Sequence, residues 1–143
     1  MSYENPDRRT YVFQEFDFGG SAGTRTEKIV GPKGKKGRLI DYGVQSVQET
    51  FAGTTPASIA IGINGGNVDE FGEELSLGTA VTTAAGGYTV RSLYDPIADA
   101  TNFDALMVDP NIPADTVVAV TCVEAITGPA GKASAYVVID WDN

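Results

Sequence analysis

Thr116-Val117-Val118-Ala119-Val120-Thr121-Cys122-Val123-Glu124-Ala125-Ile126 decides the fold class, together with Ala133-Ser134-Ala135-Tyr136-Val137-Val138-Ile139-Asp140-Trp141. Both stretches are rich in β-branched residues, which fit a pleated, half-buried surface. Both are apolar at nearly every position, so each reads as a strand covered on at least one face, central in a sandwich. Thr127-Gly128-Pro129-Ala130-Gly131-Lys132 lies between them and reads as the loop of a hairpin.

Upstream, the same period-2 logic finds more strands. Ser58 to Ile63 alternates, with Ile59, Ile61 and Ile63 on one face and Ala60 and Gly62 on the other. Leu39 to Phe51 reads as a long strand in which Ile40, Tyr42 and Val44 share a face. A register change near Ser46, through a bulge at Gly43, would bring Val47 and Phe51 to the same side. Thr10 to Phe18 and Thr26 to Val30 are further candidates, with Gly19 to Gly23 a flexible break between them. Tyr88 to Leu93 and Ala105 to Val108 are shorter ones. Thr79 to Gly87 is irregular, Asp95 to Asp104 is loop with room for one helical turn, and Pro110 to Pro113 is a break. No stretch of ten residues carries a helical period. The 17 glycines and 7 prolines punctuate short strands at intervals that suit a sandwich or barrel. The expectation is an all-β, jelly-roll-like β-sandwich of about eight strands, residues 11–143 forming one domain. Residues 1–10, polar and holding Pro6, are expected to be a flexible N-terminal arm that frays or orders on a partner.

The chain has 143 residues, enough for one core that buries roughly 68–70% of the surface its unfolded form exposes. Its longest apolar runs fall far short of the roughly 20 residues of a membrane span. The charged start, Met1 to Arg9, has no apolar core of a secretory signal, so all residues are expected in the mature protein. The single cysteine, Cys122, excludes an internal disulfide and fits a reducing cytosol. Set within an apolar strand, it reads as a small buried hydrophobe.

There is no histidine. That removes the commonest general base and the commonest metal ligand, and with them the usual Ser-His-Asp, Cys-His and zinc constellations. Glu73 and Glu74 are adjacent, so on a strand they face opposite ways, and no carboxylate pair stands out for glycoside hydrolysis. The acids of Val68 to Gly78 lack the order of a calcium loop and read as solvated, and the turn before them is Asn64-Gly65-Gly66-Asn67. No enzyme activity, metal or cofactor is expected. Tyr88, Tyr94, Tyr136 and Trp141 are the rings a sugar could stack on, although strand aromatics usually fill cores.

Charge is unevenly spread. Residues 1–38 hold eight Lys/Arg and five acids, for +3; residues 39–143 hold two and fourteen, for −12, giving −9 in total. A body this acidic repels nucleic acid. Gly31-Pro32-Lys33-Gly34-Lys35-Lys36-Gly37-Arg38 is Gly-rich and basic like a phosphate loop, but it lacks that spacing and no helix follows it. What remains is electrostatic docking on protein, with Arg8, Arg9, Lys33, Lys35 and Lys36 as the expected contacts. A basic loop and an acidic face on one chain also suit a head-to-tail ring of copies.

Several segments carry a resemblance. They are Gly37-Arg38-Leu39-Ile40-Asp41-Tyr42, Glu49 to Gly62, Ile112-Pro113-Ala114-Asp115-Thr116-Val117, Ala130-Gly131-Lys132-Ala133 and Val138-Ile139-Asp140-Trp141. Together they resemble small virion proteins of tailed bacteriophages, the capsid decoration or cement proteins built on a β-sandwich or jelly roll. The resemblance spans residues 37–63 and 112–141, under half of the chain. It implies a protein made in the host cytoplasm that binds the exterior of an assembled lattice of major capsid protein, commonly as a homotrimer, and stiffens the head. It brings no catalytic residues; no nucleic-acid partner is expected of so acidic a body, and no membrane partner of apolar runs so short. The alternative expectation is a carbohydrate- or receptor-binding module of a phage fibre or bacterial surface protein.

Overall fold

The two apolar stretches at the C-terminal end of the sequence become the centres of two different sheets. The computed structural model describes residues 6–20, 23–78, 85, 91–92 and 107–142, and every regular element among them is a strand. The strands are β1 (Asp7–Val12), β2 (Phe16–Asp17), β3 (Thr24–Val30), β4 (Gly37–Ala52), β5 (Ser58–Ile63), β6 (Gly72–Ser76), β7 (Arg91–Ser92), β8 (Asn111–Ile112), β9 (Val117–Val123) and β10 (Ala130–Trp141). One sheet runs β1-β10-β4-β7, with β2 also on β10 and β8 also on β4; the other runs β3-β9-β5-β6. All pairings are antiparallel.

β2 continues the β1 edge of β10, and β8 lies on the same side of β4 as β7. Setting those two aside, the remaining strands number eight, with orders 1-8-3-6 and 2-7-4-5. That is the wiring of a jelly roll, two four-stranded sheets closed over one core. In it nearly every connection crosses from one sheet to the other. The expected β9–β10 hairpin is therefore absent: β9 pairs with β3 and β5, and β10 with β1 and β4. The strands are central, as their apolarity demanded, but they lie in opposite layers. β5 and β6 pair directly, joined through the Asn64–Asn67 turn.

The expected boundary between arm and body also moves. Residues 7–10 belong to β1, which pairs with β10 from Asp7↔Trp141 to Val12↔Tyr136. Their polarity suited an arm, but a strand laid on an open sheet edge is held by backbone hydrogen bonds and needs few apolar side chains. Residues 1–5 lie outside the described residues, as do the readings made on 79–84, 86–90 and 93–106.

β4 and β10 form the spine. Their register slips at three places, one of them between Ser134↔Gln45 and Lys132↔Glu49. Ser46 sits in that slip with φ of +53°, a left-handed residue at a bulge. Gly43, where the bulge was expected, pairs regularly with Tyr136. A second slip, between Val138↔Asp41 and Ile139↔Leu39, turns Leu39 inward instead of Ile40. Through these irregularities Leu39, Tyr42, Val44, Val47 and Phe51 all reach the core. There they meet Ile59, Ile61, Val118, Val120 and Cys122 of the facing sheet. Each such aliphatic or aromatic side chain contributes roughly 1.5–3 kcal/mol on burial. Tyr42 also buries a hydroxyl, which donates to the Glu73 carbonyl at 2.6 Å.

Candidate functional site

The registers bring the start of β1, the end of β10 and the start of β4 side by side, as Asp7↔Trp141↔Gly37. In the other sheet, Val30↔Val117 and Ile63↔Val118 place the ends of β3 and β5 and the start of β9 at this same end, because residues 31–36 join β3 to β4 directly. All five basic residues expected to contact a partner stand at or next to this end: Lys33, Lys35 and Lys36 on the loop, and Arg8 and Arg9 on adjacent rungs of β1.

The loop is shaped by backbone chemistry. The Lys35 N–H donates to the Pro32 carbonyl at 3.1 Å, and the Gly34 N–H donates to Asp115 Oδ1 at 2.8 Å. Gly34 takes φ of +74°, a conformation glycine adopts at no steric cost. Beneath the loop lies Trp141, only 2% exposed, its indole N–H donating to the Tyr11 hydroxyl at 2.9 Å. The ring fills the space that side chains would occupy at two glycines. A Cβ on Gly31 would stand 2.3 Å from its Cη2, and one on Gly37 would stand 2.6 Å from its Cζ3.

The structure separates the five expected contacts into three settings. Lys33 and Lys35 line a cleft of about 300 Å³ with Val30, Pro32, Val117 and Asp115. Lys36 lines a second cleft of about 470 Å³ with Arg38, Asp109, Asn111 and Asp142. Among the described residues these three lysines make no ion pair. Arg8 and Arg9 differ. Arg8 grips Asp140 with Nε and Nη2 at 2.6 and 2.8 Å, and this hydrogen bond, foremost, holds the Asp140 carboxyl below the ordinary aspartate range. Arg9 spends its guanidinium on Asp7 at 2.7 Å. Both arginines remain open to solvent, but each arrives with its charge partly answered.

Sequence reasoning overlooked Arg38, which lies opposite Asp140 in the ladder and completes an Arg8-Asp140-Arg38 row across three strands. The signal was there: Gly37-Arg38-Leu39 alternates, and a buried Leu39 sends Arg38 outward. Asp115 and Trp141, which lock and floor the loop, come from the far end of the chain, and no local pattern announces them.

Elsewhere the chemistry is quiet. Cys122 is fully buried, and desolvation foremost pushes its thiol up to about 12, far from a reactive thiolate. Tyr136 and Trp141 are buried at 6% and 2% exposure, so neither ring offers a sugar platform; Tyr88 and Tyr94 lie outside the described residues. No group of three or more Cys, Asp or Glu among the described residues could hold a metal ion.

Comparison with known proteins yields no match: no family model, no curated protein and no solved structure matches the chain.

Proposed function

We propose that this chain is a structural virion protein of the capsid-decoration type, which binds the outer surface of an assembled major-capsid-protein lattice and stabilises the phage head. One observation carries the docking part of this reading. Lys33, Lys35 and Lys36 stand on one end of an acidic sandwich with no ion pair among the described residues, on a loop already held in shape by Asp115 and Trp141. A charged surface that has been ordered in advance loses little entropy on docking, and it steers encounter with an acidic partner. Arg8, Arg9 and Arg38 extend the same surface. The capsid part rests on the resemblance of residues 37–63 and 112–141, to which the jelly roll is congenial, being a fold of capsid and lectin domains. Fold alone does not choose a function. A binding role is favoured over a catalytic one by the lack of histidine and the inert Cys122.

The mechanism is mass action. A protein that binds only the assembled lattice lowers the free energy of that state, by an amount that grows with the ratio of its free concentration to Kd. Repeated over many sites, and through a homotrimer with several contacts, weak interfaces add into firm attachment.

The test is titration of the purified chain onto undecorated, expanded shells, followed by co-sedimentation. The reading expects saturation at a fixed ratio, weakening as salt rises, with no binding on a glycan array. A folded chain that never co-sediments with expanded shells removes it, and saturable glycan binding would favour the receptor-binding alternative.

A further inference from the structure

The lysine-loop end carries two exposed valines in opposite electrostatic settings. Val30, 73% exposed, borders the cleft of Lys33 and Lys35. Val68, 50% exposed, is followed directly by Asp69 and Glu70 in the β5–β6 turn. Both sites are rigid. The acidic turn folds back on β5, with Ile63 N–H to Asn67 O at 2.8 Å and Phe71 N–H to Ile61 O at 3.0 Å. Its peptide lies so close to Gly62 that a Cβ there would stand 2.2 Å from Asn67 O. Phe71, 2% exposed, anchors it in the core. Asn67 Nδ2 donates to Glu70 Oε2 at 3.0 Å and so aims that carboxylate. On the basic side, Asp115 Oδ1 accepts from the Gly34 N–H; its carboxylate also lines the cleft, so Lys33 and Lys35 leave the cleft with a net charge of +1.

We infer that these two surfaces fit each other, so that the Val30/Lys33/Lys35 cleft of one copy receives the Val68/Asp69/Glu70 turn of a second copy. The contact is heterologous, one patch on a different patch. Such contacts close into rings when the relation between copies is a pure rotation, and make filaments when it includes a translation. Here the topology favours closure. The basic loop leaves β3 and the acidic turn leaves β5, and those strands end within one residue of each other along the sheet, at Val30↔Val117 and Ile63↔Val118. The strand ends that carry the patches therefore sit within about 3.4 Å in height, at opposite flanks of a sheet about 14 Å across from β3 to β6. A rotation about an axis parallel to the strands joins them without climbing. This inference rests on the reading that the chain works by protein contact, and it refines that reading. Lys33 and Lys35 face a neighbouring copy, which leaves Lys36, Arg38, Arg8 and Arg9 for the outside partner.

The experiment uses the purified full chain alone, so its outcome is independent of shell binding. Molar mass is measured by sedimentation equilibrium for the wild type, K33E/K35E, D69K/E70K and the fourfold exchange K33E/K35E/D69K/E70K, each checked for cooperative melting. The wild type is expected to form a closed oligomer that dissociates at about 1 M salt, where charges more than about 3 Å apart are screened. Each double variant is expected to self-associate at least about a hundredfold more weakly, since like charges face each other across the contact. The fourfold exchange restores the pairing with its signs reversed, and it should recover the oligomer. If a reversal disturbs folding, neutral K33Q/K35Q and D69N/E70Q replace it, with about a tenfold weakening expected. A wild type that stays monomeric at low salt, an oligomer untouched by both double variants, or a fourfold exchange that fails to reassociate would each overturn the inference.

Discussion

The two ends of the sandwich differ in how they satisfy their polar groups, and the difference is what the proposed docking end rests on. At the far end, residues 18–20, 53–57 and 124–129 bind one another backbone to backbone. Thr55 and Ile126 exchange bonds of 3.2 and 3.0 Å, Thr54 N–H reaches Thr127 O at 3.1 Å, and Ala125 N–H reaches Phe18 O at 3.0 Å. Beneath them Phe16, Phe18 and Phe51 stack edge and tilt at 4.7 and 5.2 Å. That end pairs much of its loop backbone internally. The lysine-loop end has backbone bonds of its own, Asp142 N–H to Lys36 O and Asn64 N–H to Val117 O, both at 2.9 Å, but it adds two long-range side-chain ties, Asp115 to Gly34 and Trp141 to Tyr11, and leaves cations facing water. Under the proposed function, the first end serves stability and the second meets the partner.

The sharpest way to break this contrast is to truncate each end and read stability and binding separately. Phe51→Ala removes a fully buried ring at the far end. It should cost about 3–5 kcal/mol in chemical denaturation while the folded fraction still binds shells normally. Gly31→Ala at the lysine-loop end should cost less, about 1–3 kcal/mol, because a methyl must be forced against Trp141. Unlike Phe51→Ala, it should also weaken shell binding, since the loop that carries Lys36 and leads into Arg38 has to move. If both variants lost binding in proportion to stability, the division of labour would be wrong.

The smallest effect sharpens the picture at the edge strand. Arg8 holds the Asp140 carboxyl below its ordinary value, first by hydrogen bonding. A carboxyl depressed in the folded state stabilises the fold above its unfolded pKa of about 3.9. That contribution is lost as pH falls through the lower folded value. In Arg8→Ala, titration of Asp140 followed by NMR should move up toward the ordinary value, and the stability difference from wild type should vanish in acid. The pair is exposed on the arginine side, so the change at neutral pH should be slight.

These contrasts also mark what could be read without coordinates. Strand identity was legible wherever side chains alternate or stay apolar, as in Ser58 to Ile63 and in the two C-terminal stretches. Strand partners were not, because in a jelly roll the neighbours in space come from distant parts of the chain: β10 lies between β1 and β4. Two apolar segments separated by a Gly-Pro loop look the same whether they pair or face each other across a core. β1 was hidden for a related reason, since Asp7 to Thr10 pays no hydrophobic toll to sit on an edge. The register change near Ser46 was visible in the apolar pattern, but its cause, a left-handed serine, was not. The basic loop was legible as charge. Its rigidity was not, because Asp115 and Trp141 meet it only in the fold.

The most direct measurement is hydrogen exchange of the chain with and without saturating expanded shells. The account predicts added protection confined to the amides of residues 7–9, 36–38 and 109–112, with residues 53–57 and 124–129 exchanging as in the free protein. Protection centred on that second set, or none at any site under saturation, would contradict it.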